Sequence, residues 1–177
     1  MGTSAEGPHI LRPSSPDSEL AASAPFVFRP YRSNERQGVY QLLSILPSIY
    51  PGGAKWLKRR LEDSTRSRAT CTLATYGPRP VGITIETPKD CRKLKLSTLY
   101  VDPSFRGCGI GTSLLSLCVR RWLRDCLHDV YITTDLRRAR NIIPVLTRYQ
   151  FKPTCIEYDR YGKGRHEMIL SWSSRNR

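Results

Sequence analysis

A chain of 177 residues suits a single hydrophobic core, and 39% apolar with 25% charged residues excludes a disordered polymer. No apolar run approaches the roughly 18 residues that a bilayer span needs, and the N-terminus lacks the basic-then-apolar order of a secretory signal, so the expected compartment is the cytoplasm, with no membrane partner. Lys and Arg number 29 against 15 Asp and Glu, a net charge of +14, which directs attention to RNA or another polyanion, beside the alternative of a solvated basic surface with no dedicated partner.

Residues 1–24 are rich in Ser, Pro, Ala and Gly, and Pro8, Pro13 and Pro16 block regular helix, so a disordered leader is expected before one domain over 25–177. That leader holds Arg12 against Glu6, Asp17 and Glu19, two net negative charges, which leaves +16 on the rest of the chain. Residues 26–31 read as a short strand, and Ser33 or Asn34 is placed to cap a helix with Val39, Leu42, Leu43 and Leu46 at helical spacing. A Pro/Gly-rich loop at 47–53 precedes a second helix at 54–63, whose Trp56, Leu57 and Leu61 stand among Lys55, Lys58, Arg59 and Arg60.

Three strand-like runs follow, 69–76, 81–87 and 94–101, the first two joined by the turn residues 77–80, and an antiparallel meander is expected. A glycine-rich turn then leads into a long amphipathic helix at about 109–127, bearing Leu114, Leu115, Cys118, Trp122 and Leu123. Residues 130–134 read as a strand, 138–149 as a helix despite Pro144, and 151–159 and 166–172 as strands joined across Gly162 and Gly164. The order is βααβββαβαββ. Six cysteines occur without a CxxC pair or zinc-finger spacing, so no metal is expected, and they read as free thiols used as small buried hydrophobes, with Cys108 set apart by its place in the turn.

That turn runs Leu99-Tyr-Val-Asp-Pro-Ser-Phe-Arg106-Gly107-Cys108-Gly109-Ile110-Gly111-Thr112, with Arg106, Gly109 and Gly111 in the order RxxGxG between a strand and a helix. Glycines let the backbone turn tightly and approach a ligand closely, and the first turn of a helix offers unpaired N–H groups at the positive end of its dipole. Such a turn cradles a diphosphate. A dinucleotide-binding turn fails on context, because the preceding strands form a meander rather than alternating with helices.

The segment, with Leu-Tyr-Val-Asp-Pro before it and Leu-Leu after it, resembles the acyl-CoA signature of the GNAT superfamily, over about residues 26–172. The resemblance implies an α+β fold, a central mixed, mostly antiparallel sheet of about seven strands flanked by about four helices. It implies acetyl-CoA as acyl donor, its diphosphate on the main-chain amides of Arg106, Gly107, Cys108, Gly109, Ile110, Gly111 and Thr112. It further implies that the strand ending at Val101 diverges from the next one, that pantetheine lies in the gap along Leu99 and Val101, and that an N–H near Leu99 or Tyr100 polarises the thioester carbonyl. Asn141 would orient the cofactor.

An amine attacks a thioester only when neutral, which at pH 7 costs about 4.6 kcal/mol for a lysine and about 1 kcal/mol for an α-amine. The strand before the glycine turn offers Lys95, Ser97 and Thr98 but no carboxylate, so Glu86 on the preceding strand is the candidate base, and the lack of a nearer one favours an α-amine. The superfamily's leaving-group tyrosine falls in register at Leu146, and Tyr149, three residues later, is the candidate acid. Tyr158, Tyr161, His166 and Glu167 in the last hairpin are further groups able to titrate or orient an amine. Three functions stay open: acetyl transfer to an amine of a protein or small molecule, transfer to an amine carried by aminoacyl-tRNA or other nucleic acid, and a non-catalytic acyl-CoA-binding module. A second copy of the chain is admitted as a partner.

Overall fold

The structure, a computed structural model, describes residues 26–174; the expected leader lies outside them. Seven strands, β1 (Val27–Pro30), β2 (Thr70–Tyr76), β3 (Arg79–Pro88), β4 (Lys93–Val101), β5 (Asp129–Asp135), β6 (Lys152–Glu157) and β7 (Glu167–Ser173), form one sheet in the order β1-β2-β3-β4-β5-β7-β6. All neighbours are antiparallel except β4 and β5. The helices are α1 (Arg36–Leu42), α2 (Leu46–Ile49), α3 (Gly53–Thr65), α4 (Ile110–Arg124) and α5 (Ala139–Arg148). The expected α+β order holds, with two local differences. The loop at 47–53 contributes Pro47 to Ile49 to the single-turn α2, and the turn between β2 and β3 narrows to Gly77 and Pro78, because Tyr76 already pairs with Arg79.

The helices cover both faces of the sheet. On one, Val39, Leu43, Leu57 and Leu61 of the α1–α3 segment pack on Leu73, Ile83 and Ile85. On the other, Leu115, Val119 and Trp122 of α4 and Leu146 of α5 pack on Leu96, Ile132, Leu170 and Trp172. The period-2 alternation of β3 serves both layers, since Ile83 and Ile85 face α1–α3 while Gly82, Thr84 and Glu86 face α4. Gly82 lets α4 approach closely: a Cβ there would meet Ile110 Cγ2 at 2.9 Å and Leu114 Cδ1 at 3.1 Å.

Neither Ser33 nor Asn34 caps the first helical turn. Glu35 does so instead, its carboxylate accepting from the Arg32 N–H at 2.9 Å while paired with Arg29 at 2.6 Å. Of the cysteines, Cys71 and Cys118 are buried as small hydrophobes, whereas Cys91, Cys108, Cys126 and Cys155 are exposed thiols. Among the described residues no helix is long and apolar enough to cross a membrane.

Candidate active site

Two features of β4 create the site. Opposite Ile85 and Glu86 the register slips, so that Ile85 pairs with Thr98 and Glu86 with Leu96, leaving Ser97 as a bulge. The bulge puts both Ser97 and Thr98 on the α1–α3 face, next to Lys95, where strict alternation would send one of them away. On its other edge, β4 pairs with β5 only at Lys93–Asp129, Leu94–Val130 and Lys95–Tyr131. Beyond Lys95 the two strands diverge, so residues 96–101 present a main-chain edge to β5 without pairing to it, a template for an extended ligand.

After β4, a 3-10 turn at Pro103–Phe105 is held by the Asp102 carboxylate, which accepts from the Ser104 N–H at 2.9 Å and from Arg79 at 2.6 Å. Gly107 (φ 86°) and Gly109 (φ 77°) then take left-handed backbone, and Gly109 is the N-cap of α4. Among the described residues no side chain caps this end, and the first main-chain bond back to it comes from the Ser113 N–H, so the amides of Ile110, Gly111 and Thr112 have no acceptor within the helix. Among the described residues a Cβ built on Gly107 or Gly109 meets nothing within 4 Å, so the turn is open on the side these glycines present. The residues fit a diphosphate. Arg106 does not reach forward over the amides: its Nε donates to the Val101 carbonyl at 3.3 Å and its guanidinium lies 5.9 Å from the Tyr100 ring centroid.

Where β4 and β5 part, a cleft of about 350 Å³ opens on the α1–α3 face. Its walls carry Tyr50 and Trp56 from the helical layer, Lys95, Ser97 and Thr98 from β4, and Thr133 from β5. Tyr161 of the β6–β7 hairpin closes it, its ring 5.2 Å from that of Tyr50, and Arg165 ties hairpin to loop by donating to the Ile49 carbonyl at 3.1 Å. Thr87 and Ser97 hydroxyls bond at 2.9 Å along the wall.

Of the two candidate catalytic residues, Glu86 lies away from this cleft. It faces α4, is fully buried, and accepts from Arg121 and the Trp122 indole N–H. Burial pushes its carboxyl up, and Arg121 and Trp122 oppose that push. This position corrects the expectation drawn from strand order: alternation turns Glu86 inward, while its neighbour Thr87 faces the cleft. Tyr149 ends α5 and its hydroxyl donates to the Thr112 carbonyl at 3.0 Å, which sets the phenol against the first turn of α4. Asn141 is exposed in the first turn of α5. His166 stabilises its own hairpin, with Nδ1 accepting from the Asp159 N–H at 3.1 Å.

Glu167 stands out from the residues around it. Cross-strand pairing sets Asp135, Glu167 and Glu157 side by side on β5, β7 and β6. The outer two are neutralised, Asp135 by Arg137 at 2.8 Å and Glu157 by Arg160, whereas Glu167 has no ion pair among the described residues. It is 2% exposed, and its Oε2 has no hydrogen-bond partner among the described residues. Burial raises its pKa, partly offset by a bond with the Thr133 hydroxyl and by Lys95. Glu167 also helps burial push the Tyr50 phenol up, so it is coupled to three residues of the cleft wall. Its place in the last hairpin was the only sequence signal for it; the burial that distinguishes it arises from the pairing of β5, β7 and β6.

The model of the Acetyltransferase (GNAT) family matches residues 37–142. That span includes the glycine turn and stops short of Tyr149 and Glu167. Among curated protein sequences none matches the chain. Similar solved structures include a GNAT family acetyltransferase from Elizabethkingia anophelis with acetyl-CoA bound, at 16% identity and TM-score 0.66 over 84% of this chain and 97% of that one. Arabidopsis thaliana Naa50 in complex with the bisubstrate analogue CoA-Ac-MVNAL is similar at 18% identity and TM-score 0.69, over 84% and 98%. An aminoglycoside 6'-N-acetyltransferase complexed with coenzyme A is similar at 14% identity and TM-score 0.69, over 83% and 96%. At these identities the likeness is one of fold.

Proposed function

The chain belongs to the acetyltransferase (GNAT) family, and from that premise we propose that it moves an acetyl group from acetyl-CoA to a primary amine bound in the cleft. One observation carries the reading. The divergence of β4 from β5 joins the open amide cradle at the start of α4 to the cleft on the opposite face, so a donor and an acceptor would meet at Ser97 and Thr98.

Acetyl-CoA supplies an activated acyl group as a thioester. The amides from Gly107 to Thr112 would hold its diphosphate, and the exposed edge of β4 around Leu99 to Val101 would orient the pantetheine chain and offer an N–H to the carbonyl oxygen. Glu167, behind the Thr133 wall, takes the proton from the attacking ammonium through one water, in place of Glu86. Its raised pKa brings it nearer to neutrality, where a general base works best. Tyr149 returns a proton to the departing sulfur, using the hydroxyl that now donates to Thr112. Acetyl-CoA binding by calorimetry, followed by transfer of labelled acetyl to an amine panel, tests the reading; no affinity for coenzyme A would overturn it.

A second reading places the amine on RNA. It is favoured by Lys55, Lys58 and Arg59, exposed on α3 beside the cleft residues Trp56 and Arg60. A linear fall of log affinity for RNA with log salt concentration is its signature.

A further inference from the structure

The charged side chains lining the cleft are Arg60, Lys89 and Lys95, and no carboxylate is among them. Arg60 is engaged by Asp63 at 3.0 Å. Lys89 and Lys95 form no ion pair among the described residues, and the contact made by the half-buried Lys95 ammonium is with the Tyr131 ring, 5.8 Å from its centroid. Glu167 acts on Lys95 from behind the wall without pairing to it, so a half-buried cation that faces other cations is left without a direct counter-ion, a costly arrangement where a neutral side chain would pack on this strand as well.

These cations are badly placed for the donor. Lys95 is the last β4 residue paired to β5, at the closed end of the gap, and Val101 lies six residues further along. At about 3.3 Å per residue, that is about 20 Å from the start of the diphosphate turn. Lys95 is instead two residues from Ser97 and opposite Thr87, on the acceptor side of the gap.

We infer that the acceptor carries an anionic group, a carboxylate or a phosphate, a few bonds from its amine, and that Lys95 with Lys89 holds that group against the cleft wall. This rests on the transferase reading of the same cleft and narrows its substrate class. Glu167 stands behind Thr133 rather than in the lining, so its charge would act on the ammonium from within the wall while the lysines meet the anion directly. Burial first, and then the like charges of Arg160 and Lys89, lower the pKa of Lys95, and the repulsive part is relieved once the anion is in place.

The test uses the full chain and two readouts. In the first, glutarate and inorganic phosphate, which have no amine to acetylate, are titrated calorimetrically into wild type, Lys95→Met and Lys95→Arg. Saturable binding of one of them to wild type and Lys95→Arg, weakened at least tenfold in Lys95→Met, supports the inference, and whichever binds identifies the anion as carboxylate or phosphate. In the second, kcat/KM is measured for peptide pairs whose first residues differ as Asp against Asn and as phosphoserine against Ser. A preference of at least tenfold for an anionic member, lost in Lys95→Met and kept in Lys95→Arg, is the expected result. Equal rates for both members in wild type, or binding of neither anion, overturns the inference. Anion binding that depends on Lys95 without transfer to any amine would sink the transferase reading and leave the anion site standing.

Discussion

The phenol of Tyr149 donates a 3.0 Å hydrogen bond to the main-chain carbonyl of Thr112, joining the end of α5 to the first turn of α4. The bond orients the phenol, which is what the proposed role of protonating a departing thiolate asks of it. Tyr149→Phe is expected to lower kcat by about ten- to a hundredfold, while the lost bond costs about 1 kcal/mol of stability. Steady-state kinetics beside thermal melts separates the roles: a lower melting point with unchanged kcat would make Tyr149 a clamp only.

Glu86 and Glu167 should respond in opposite ways to the same change. In Glu86→Gln the Arg121 guanidinium, three-quarters buried, loses its counter-charge, and a loss of about 2–3 kcal/mol is expected in denaturant unfolding at pH 7, with kcat preserved at temperatures where the variant is folded.

Glu167→Gln removes a buried, unpaired charge, so stability is expected to hold or rise. Catalysis should fall by about a hundredfold or more if Glu167 is the base. The linkage has a definite sign. A carboxyl whose folded pKa is raised destabilises the fold when ionised, so the wild-type protein gains stability as pH falls through that pKa, and the Gln variant lacks this gain. Melting curves at several pH values check it, and a variant with wild-type kcat refutes the role.

Gly109→Val forces a β-branched residue to φ 77°. No atom lies within 4 Å of the added Cβ, so the cost is backbone strain alone, about 1–2 kcal/mol. Strain relieved by rotating the first α4 amides should weaken coenzyme A binding at least tenfold. Calorimetry with coenzyme A decides; unchanged affinity would remove the cradle from these residues.

Burial, helped by Arg160 and Lys89, lowers the pKa of Lys95 to about 8. The ammonium is therefore charged below that pH and lost above it, ahead of an ordinary lysine. For an anion-bearing acceptor, kcat/KM should fall as pH rises past about 8, while a neutral amine of the same pKa should show no such fall. In Lys95→Arg the fall should vanish, since the guanidinium stays charged throughout. Parallel profiles for the two acceptors would contradict the assignment.

Local pattern was enough for much of this protein. Alternation in β2, β3 and β4, helical spacing in α1, α3 and α4, and the RxxGxG turn are all set by neighbours in sequence, so the strand and helix order and the amide cradle could be read directly. Arg106 was legible as a residue but not as a conformation, because its fold back to Val101 depends on free space around an exposed turn. Glu86 was placed correctly on its strand but not on its face, because both faces of β3 are buried and only the packing of Trp122 reveals that Glu86 turns toward α4 and away from the cleft. Glu167 and Lys95 stand 72 positions apart, and what distinguishes each, a charge removed from water with no ion pair among the described residues, arises from strands that meet only in the folded sheet. Charge and hydrogen-bonding type belong to residues; burial and the absence of a partner belong to tertiary structure, since both are set by groups distant along the chain.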